Sequence, residues 1–189
     1  MYHPVPPVST WKKKIECDKY VFSGEGYRSV WIGGLSVFYK EEGNMEIESL
    51  MDDVALLLSE GYSVTLRATG YSMYPFIVPS RDSVLLCPAG SFQIGDIVLA
   101  YTHRKGYVLH RIYEIRADRI LLMGDGNLSQ KETCDGNAIY GKAVKIIRKG
   151  CEVDCTSRKE RFLAKAWMKL LPVRRWLLVA CPCRRKWNR

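Results

Sequence analysis

The spacing of apolar residues changes character twice along the chain. In residues 45–62, MEIESLMDDVALLLSEGY, apolar side chains recur at helical intervals, which predicts an amphipathic helix that ends at Gly61. Acidic residues fill the first half of this segment, where the dipole of a helix favours negative charge. After this helix the apolar residues come in short runs, and helical spacing returns only beyond residue 157.

Residues 62–150 have the pattern of short β-strands separated by Gly, Asp and Asn. The segment SVTLRA alternates between apolar and polar positions, and SVLLCPA, RILLMG and AIYGKAVKIIRKG are short apolar runs. DIVLAYT and YVLHRIYEI flank HRKG, which predicts a β-hairpin with Gly106 in its turn. Strands at this regular spacing predict a mainly β fold, an antiparallel barrel-like or sandwich-like domain.

Residues 157–189 form a basic tail with its own helical pattern, broken by Pro172 and followed by the short apolar piece WLLVA. Basic residues interleaved with Trp and Leu are typical of a segment that lies in a membrane interface. A C-terminal helix packed on the β domain, with a solvated basic face, is the second interpretation. Nucleic-acid contact is the least favoured.

The chain therefore divides into three parts. Residues 1–44 carry no motif and are predicted to be an N-terminal extension, either disordered or outside the translated protein if Met45 is the start. Residues 45–150 form the predicted domain with its N-terminal helix, and residues 151–189 the basic, Trp-rich tail. A length of 189 residues fits one domain with flanking segments.

Charge, apolar segments and cysteine content indicate where the protein is expected to be located and which partners it could bind. Of the net charge of +9, residues 151–189 carry +8, so an acidic partner such as an anionic membrane surface would meet the tail. No secretory signal is visible and no apolar run reaches about 18 residues, which predicts a cytoplasmic protein, peripheral at most on the inner face of the membrane. Seven scattered cysteines without zinc-site spacing predict reduced thiols and no metal site.

Ser72 and His110 are the two residues that can be interpreted as a catalytic pair. Ser72 lies in ATGYSMYPF, and a serine hydroxyl becomes a good nucleophile only when a base accepts its proton. Of the three histidines, His110 lies inside a predicted strand and shares a face with Val108 and Ile112. An imidazole buried there needs a polar partner, which a serine hydroxyl would supply. Without further information, a satisfied structural histidine is the simpler interpretation.

The order of several motifs favours the chemical interpretation. A Ser-Met-x-Pro turn is followed by a Gly-Asp-hydrophobic strand, a strand carrying His-Arg, a GDGN turn and a strand containing Gly. Over residues 61–148 this order resembles the S24/S26 serine peptidase superfamily, which holds signal peptidases and self-cleaving repressors. The closest likeness is to the branch whose base is His, as in signal peptidases of archaea and the endoplasmic reticulum, and to small S24/S26 proteins of Bacteroides-type bacteria.

The resemblance implies a function and a set of site residues. Ser72 would attack a peptide carbonyl with its own backbone N–H helping to hold the oxyanion, and His110 would act as general base. Gly70 would leave room for the substrate backbone, while Met73 and Pro75 would shape the turn and line the site. The implied activity is a signal-peptidase-like serine endopeptidase, acting without a cofactor on leader or signal-type peptides.

The acid that would orient His110 is less well matched. In the His branch an acid follows the Gly-Asp turn at a fixed offset, where this sequence has Lys131. Asp125, in the turn itself, is the preferred candidate, and Glu132 is the alternate. The mismatch leaves open a Ser–His dyad, and it also leaves open a catalytically weak or inactive binding or regulatory protein of the same fold. A self-cleaving repressor is disfavoured, because residues 1–60 predict one helix and no helix-turn-helix domain.

Overall fold

The fold is a mainly antiparallel β-sheet with helices on its surface, which confirms the predicted fold class. The computed structural model describes residues 27–32, 35–40, 47–117 and 119–180. Within them lie ten strands: β1 (Tyr27–Ile32), β2 (Leu35–Lys40), β3 (Val64–Arg67), β4 (Asp82–Pro88), β5 (Ile97–Thr102), β6 (Gly106–Ile115), β7 (Ile120–Met123), β8 (Glu132–Cys134), β9 (Ile139–Arg148) and β10 (Cys151–Asp154). The helices are α1 (Ile47–Ser59), α2 (Arg158–Lys169) and α3 (Arg174–Ala180).

The strands are ordered β2-β1-β3-β4-β9-β5-β6-β7-β8, and β10 also pairs with β9. Strands β5 and β6 form the predicted hairpin, with Thr102 opposite Gly106. Gly106 has a φ of +66°, a backbone conformation that glycine adopts without steric cost, so the predicted turn is confirmed. Since β6 pairs with β7 and β7 with β8, four consecutive strands in the sheet bring distant polar residues together.

Two apolar cores lie on opposite faces of the sheet. Ile97 and Leu99 of β5 belong to the first core. Val98 and Ala100, which alternate with them, belong to the second. Helix α1 covers the first core with Val54, Leu58 and their neighbours. The second core includes Val108 and Ile112, the two residues expected to share a face with His110.

Both predicted boundaries of the β domain are crossed by strands. In β1, Trp31 pairs with Thr65 and Ile32 with Val64 of β3, so the β1–β2 hairpin extends the sheet beyond the predicted start at residue 45. Residues 1–26 of the predicted extension lie outside the described residues. At the other end, β10 continues the sheet past residue 150. Helix α1 matches the predicted amphipathic helix, and Gly61 follows it with a φ of +97°.

The tail forms two helices that fold back on the domain. Ser157 caps α2 by accepting a hydrogen bond from the backbone N–H of Glu160, and α3 begins after the predicted break at Pro172. Ala164 of α2 and Leu178 of α3 are buried. One face of the tail is therefore packed, as the second interpretation of the sequence expected. Across the described ranges, no helix is long and apolar enough to cross a membrane.

Candidate active site

Ser72 lies in a one-turn 3-10 helix, Tyr71–Met73, between β3 and β4. Met73 anchors this turn in the first apolar core, while Ser72 stays partly exposed. A Cβ added at Gly70 would meet nothing within 4 Å, so the space beside the turn is open, as a bound peptide would require. Pro75 follows Tyr74 through a cis peptide bond and is half-buried at the end of the turn.

The Gly124–Gly126 segment after β7 holds the Ser72 turn by backbone contact. The N–H of Gly126 donates a 2.8 Å hydrogen bond to the carbonyl of Ser72. A Cβ at Gly124 would lie 2.3 Å from the Ser72 carbonyl oxygen, and one at Gly126 would lie 2.6 Å from that of Tyr71. Both contacts are too close for a side chain of any size, so glycine at these two positions allows the turn to pack against the loop.

The register of β6 and β7 places His110 beside this contact. Arg111 pairs with Met123, and one further step along the antiparallel register puts His110 opposite Gly124. Directly opposed residues project to the same face of a sheet. The Ser72 carbonyl occupies the space into which a side chain at Gly124 would project, so the Ser72 turn lies next to the position that is opposite His110. The turn also packs against β6.

His110 is buried and faces a carboxylate. Its side chain is 3% exposed, and Nδ1 lies 3.0 Å from Oε2 of Glu132, whose side chain is also 3% exposed. These two atoms are sealed from solvent, and the N–H direction at Nδ1 is not aligned for a hydrogen bond. The other oxygen of Glu132 lies 2.7 Å from Nζ of Lys105. Burial lowers the pKa of His110, Glu132 opposes this shift, and Lys105 adds to it.

Asp125, the acid preferred from the sequence, is engaged elsewhere. Its side chain is fully buried and accepts hydrogen bonds of 2.8 Å and 2.6 Å from Nε and Nη2 of Arg111. Arg111 also donates to the carbonyl of Gly95. The prediction that Asp125 lies against His110 is therefore wrong, because neighbouring residues of a strand point to opposite faces and Asp125 is on the Arg111 face. Glu132, the alternate, takes that place.

The arrangement leaves one nitrogen of His110 for a second partner. With Nδ1 toward Glu132, Nε2 lies on the other side of the ring, where it can accept a proton. In the described part of the chain, no hydrogen bond joins the Ser72 hydroxyl to His110. Catalytic hydrogen bonds are often long before substrate binds, so this separation is compatible with a nucleophile and its base.

The tail helices contact the loop that holds the Ser72 turn. Trp167 of α2 donates through Nε1 to the carbonyl of Asp125 at 3.0 Å. Arg174 of α3 is fully buried, donates to the carbonyls of Asn127 at 3.2 Å and Trp167 at 2.9 Å, and also bonds the Tyr113 hydroxyl. The guanidinium lies 5.1 Å from the centre of the Trp167 ring. The tail helices therefore help to hold the loop of the candidate site in place.

These contacts between the tail and the candidate site were not predicted from the sequence. Arg174 is one basic residue among many in the tail, and nothing in its sequence neighbourhood distinguishes it from the exposed Arg175. Phe76, just after the Ser72 turn, was also missed; it packs edge-on against Trp167 and under the Arg111 guanidinium. The break at Pro172 was the only signal, since it returns the chain toward the domain.

Metal-ligating clusters and free thiols are the other features of the described residues that bear on the chemistry. They contain no group of three or more His, Cys, Asp or Glu side chains arranged to hold a metal ion. Cys87, Cys134, Cys151 and Cys155 are free thiols, and burial raises the pKa of Cys134 and of Cys155 to about 11, so neither is a ready nucleophile. Comparison of the chain with models of known protein families and with curated proteins finds no match.

Proposed function

We propose that the protein is a serine endopeptidase in which Ser72 is the nucleophile, His110 the general base and Glu132 the acid that orients His110. The observation that carries this proposal is the buried contact between His110 and Glu132, opposite the Gly124 position against which the Ser72 turn packs. A Ser, a His and a carboxylate are the parts of a catalytic triad.

Each group has a defined step in the reaction. His110 Nε2 accepts the hydroxyl proton as Ser72 Oγ attacks the peptide carbonyl, and then donates that proton to the leaving amine. A water molecule attacks the acyl-enzyme, again with His110 as base, and releases the acid and free Ser72. The backbone N–H of Ser72 contributes to the oxyanion hole. Glu132 stabilises the imidazolium that forms in each half of the reaction.

The environment of His110 suits a base at neutral pH. Because burial lowers its pKa, the ring is neutral and able to accept a proton under ordinary conditions. Lys105 neutralises part of the Glu132 charge and prevents the carboxylate from raising that pKa as far as it would alone. The motif order shared with His-type signal peptidases supports leader or signal-type peptides as the substrate class.

Active-site labelling with a fluorophosphonate probe tests the proposal. We expect wild-type protein to be labelled and Ser72→Ala to lose labelling while keeping the thermal unfolding midpoint within a few degrees. His110→Ala should lose labelling of its folded fraction and also unfold at a lower temperature, because removal of the buried ring leaves a cavity beside Glu132. Ser91→Ala and His103→Ala are matched controls, since both side chains are exposed and neither belongs to the proposed triad; they should label as wild type does. Mass spectrometry of the adduct should place the probe on Ser72.

Two outcomes would contradict the proposal. Labelling that persists in Ser72→Ala would place the nucleophile elsewhere. Failure of wild-type protein both to react with the probe and to cleave a library of leader-type peptides would favour the alternative, a binding or regulatory protein of the same fold without turnover. A peptide that binds wild-type protein and Ser72→Ala equally, with no cleavage by either, would support that alternative directly.

A further inference from the structure

Two large apolar side chains on the tail helices are the most exposed of those between residues 50 and 178. Trp176 is 74% exposed and Phe162 is 71% exposed, whereas no other large apolar side chain in that range exceeds 50%. Four further apolar residues of the same segment are at least 40% exposed: Leu163, Leu170, Val173 and Leu177. An apolar surface of this kind on a protein usually marks a site of interaction.

These residues have no packing role left to fill in the described fold. The opposite side of the same helices already contacts the domain through Ala164, Arg174 and Leu178, which are all buried. Trp167 and Arg174 fix the rotation of the helices by hydrogen bonds to the loop at Asp125 and Asn127. The apolar side chains therefore point away from the domain because the inner face is held in place.

The charge of the tail helices has one sign. Between residues 158 and 178 there are seven Lys or Arg and one acid, Glu160. The exposed basic residues of this segment are Arg158, Lys159, Lys165, Lys169 and Arg175. On α2, Lys165 and Lys169 follow Phe162 by about one and two helical turns, so the exposed Phe162 ring and these two charges belong to the same side of the helix.

We propose that this outer face, formed by Phe162, Leu170, Val173, Trp176 and Leu177 with the five exposed basic residues, docks on an anionic lipid membrane. Aromatic and aliphatic side chains would enter the boundary between headgroups and acyl chains, and the lysines and arginines would meet the lipid phosphates. The positive charge disfavours a second copy of the chain as the occupant, since like charges would face each other. Leu170, Val173 and Leu177 have no role in binding a nucleic-acid backbone, which favours lipid over nucleic acid.

Docking would hold the candidate site close to the membrane. The inner face of α2 and α3 contacts the Asp125 and Asn127 carbonyls, so the loop that holds the Ser72 turn would lie about one helix diameter, about 10 Å, from the lipid headgroups. The docking itself does not depend on the proposed peptidase activity. Ser72→Ala should bind membranes as wild type does, so failure of one proposal is separable from failure of the other.

Vesicle co-sedimentation of the full chain tests the proposal. We expect binding to vesicles of phosphatidylcholine with phosphatidylglycerol, and little binding to vesicles of phosphatidylcholine alone. The double variant Phe162→Ser/Trp176→Ser should bind at least about tenfold more weakly, because two large apolar contacts with the bilayer are lost. Lys165→Gln/Lys169→Gln should bind about tenfold more weakly to anionic vesicles, with an effect that shrinks in high salt.

A matched control separates this face from general exposure of apolar groups. Ile94→Ser removes an apolar side chain that is 46% exposed outside the tail, and it should bind as wild type does. Thermal unfolding of each variant checks that the fold is kept. Failure of wild-type protein to bind anionic vesicles in low salt would overturn the proposal, as would equal binding by Phe162→Ser/Trp176→Ser.

The competing occupants give different results in the same experiments. Binding to a single-stranded RNA or a DNA duplex, without binding to vesicles, would assign the face to nucleic acid and overturn the proposal. A concentration-dependent dimer in analytical ultracentrifugation that Phe162→Ser/Trp176→Ser abolishes, again without vesicle binding, would assign it to a second copy of the chain and overturn it equally.

Discussion

Two neighbouring residues of β6, His110 and Arg111, each face a buried acid, and the two pairs differ in nearly every physical respect. Arg111 holds Asp125 through both carboxylate oxygens and binds the carbonyl of Gly95 as well. His110 approaches Glu132 through a single pair of atoms, at 3.0 Å. The first pair lies on one face of the strand and the second on the other, because side chains alternate along a strand.

The difference separates a structural pair from the pair proposed to be catalytic. A guanidinium stays charged at any ordinary pH and matches a carboxylate in a fixed bidentate geometry, which suits a permanent link between β6 and the GDGN loop. An imidazole gains and loses a proton near neutral pH, and contact through Nδ1 alone leaves Nε2 for that exchange. The same stretch of strand thus anchors the loop with one residue and presents the proposed base with the next.

Removal of the structural acid should have the largest effect on stability. Asp125→Ala leaves Arg111 buried without its counter-charge, and we expect the free energy of unfolding to fall by about 3–5 kcal/mol in urea denaturation. Glu114→Ala is the matched control, because it breaks the exposed pair with Arg116 and should change stability by no more than about 0.5 kcal/mol. Equal losses in the two variants would show that the Arg111–Asp125 pair is not a structural anchor.

Substitution of Gly124, which contacts the Ser72 turn, should have the second-largest effect on stability. Gly124→Ala would place a Cβ against the Ser72 carbonyl, and we expect a loss of about 1–3 kcal/mol of unfolding free energy together with slower fluorophosphonate labelling. Gly70→Ala enters open space and should leave stability within about 0.5 kcal/mol of wild type. If Gly124→Ala proved as stable and as reactive as Gly70→Ala, the loop would not be positioning the nucleophile.

A smaller effect should appear in the pH dependence of the labelling rate, which His110 is proposed to control. Because the pKa of folded His110 is lowered from 6.5, mainly by burial, the labelling rate should fall on the acid side with an apparent pKa below 6.5. Lys105→Met removes a charge that helps to lower this pKa, so its acid limb should move to higher pH. An unchanged limb would mean that His110 does not control the reaction.

The same shift has a consequence for stability. Unfolded His110 binds a proton near pH 6.5 while the folded ring stays neutral, so the unfolded state takes up more protons as pH falls through this range. We expect the contribution of His110 to the unfolding free energy to be fully present above pH 6.5 and to decrease as pH falls toward its lowered folded pKa. His110→Gln should lose this part of the pH dependence, as urea denaturation at several pH values would show.

Local patterns in the sequence were sufficient for the fold class and for the position of His110 in the sheet. Helical periodicity located α1, the segment HRKG with Gly106 located the β5–β6 hairpin, and strand alternation placed His110 on the face of Val108 and Ile112. Each of these features depends on residues close together in the sequence. The reactive role of Ser72 stays a prediction.

Local patterns could not predict which acidic residue faces His110. Asp125 and Glu132 are both near the GDGN turn in sequence, but the pairing of β6 with β7 and of β7 with β8 decides which of them faces His110. That pairing includes a shift in register between Ile112 and Glu114, which no local pattern reveals. Arg174 was hidden for a related reason, since only the packing of α3 distinguishes it from the exposed basic residues of the tail.

One measurement tests most directly whether the His110–Glu132 and Arg111–Asp125 pairs have separate roles. It is the labelling rate of Ser72 per folded molecule in Glu132→Gln beside Asp125→Asn. We predict that Glu132→Gln stays folded and reacts about 100-fold more slowly, because the amide no longer stabilises the imidazolium. Asp125→Asn should lose thermal stability, while its remaining folded fraction reacts within a few-fold of wild type. The reverse result, a slow but stable Asp125→Asn with a fully reactive Glu132→Gln, would contradict the account.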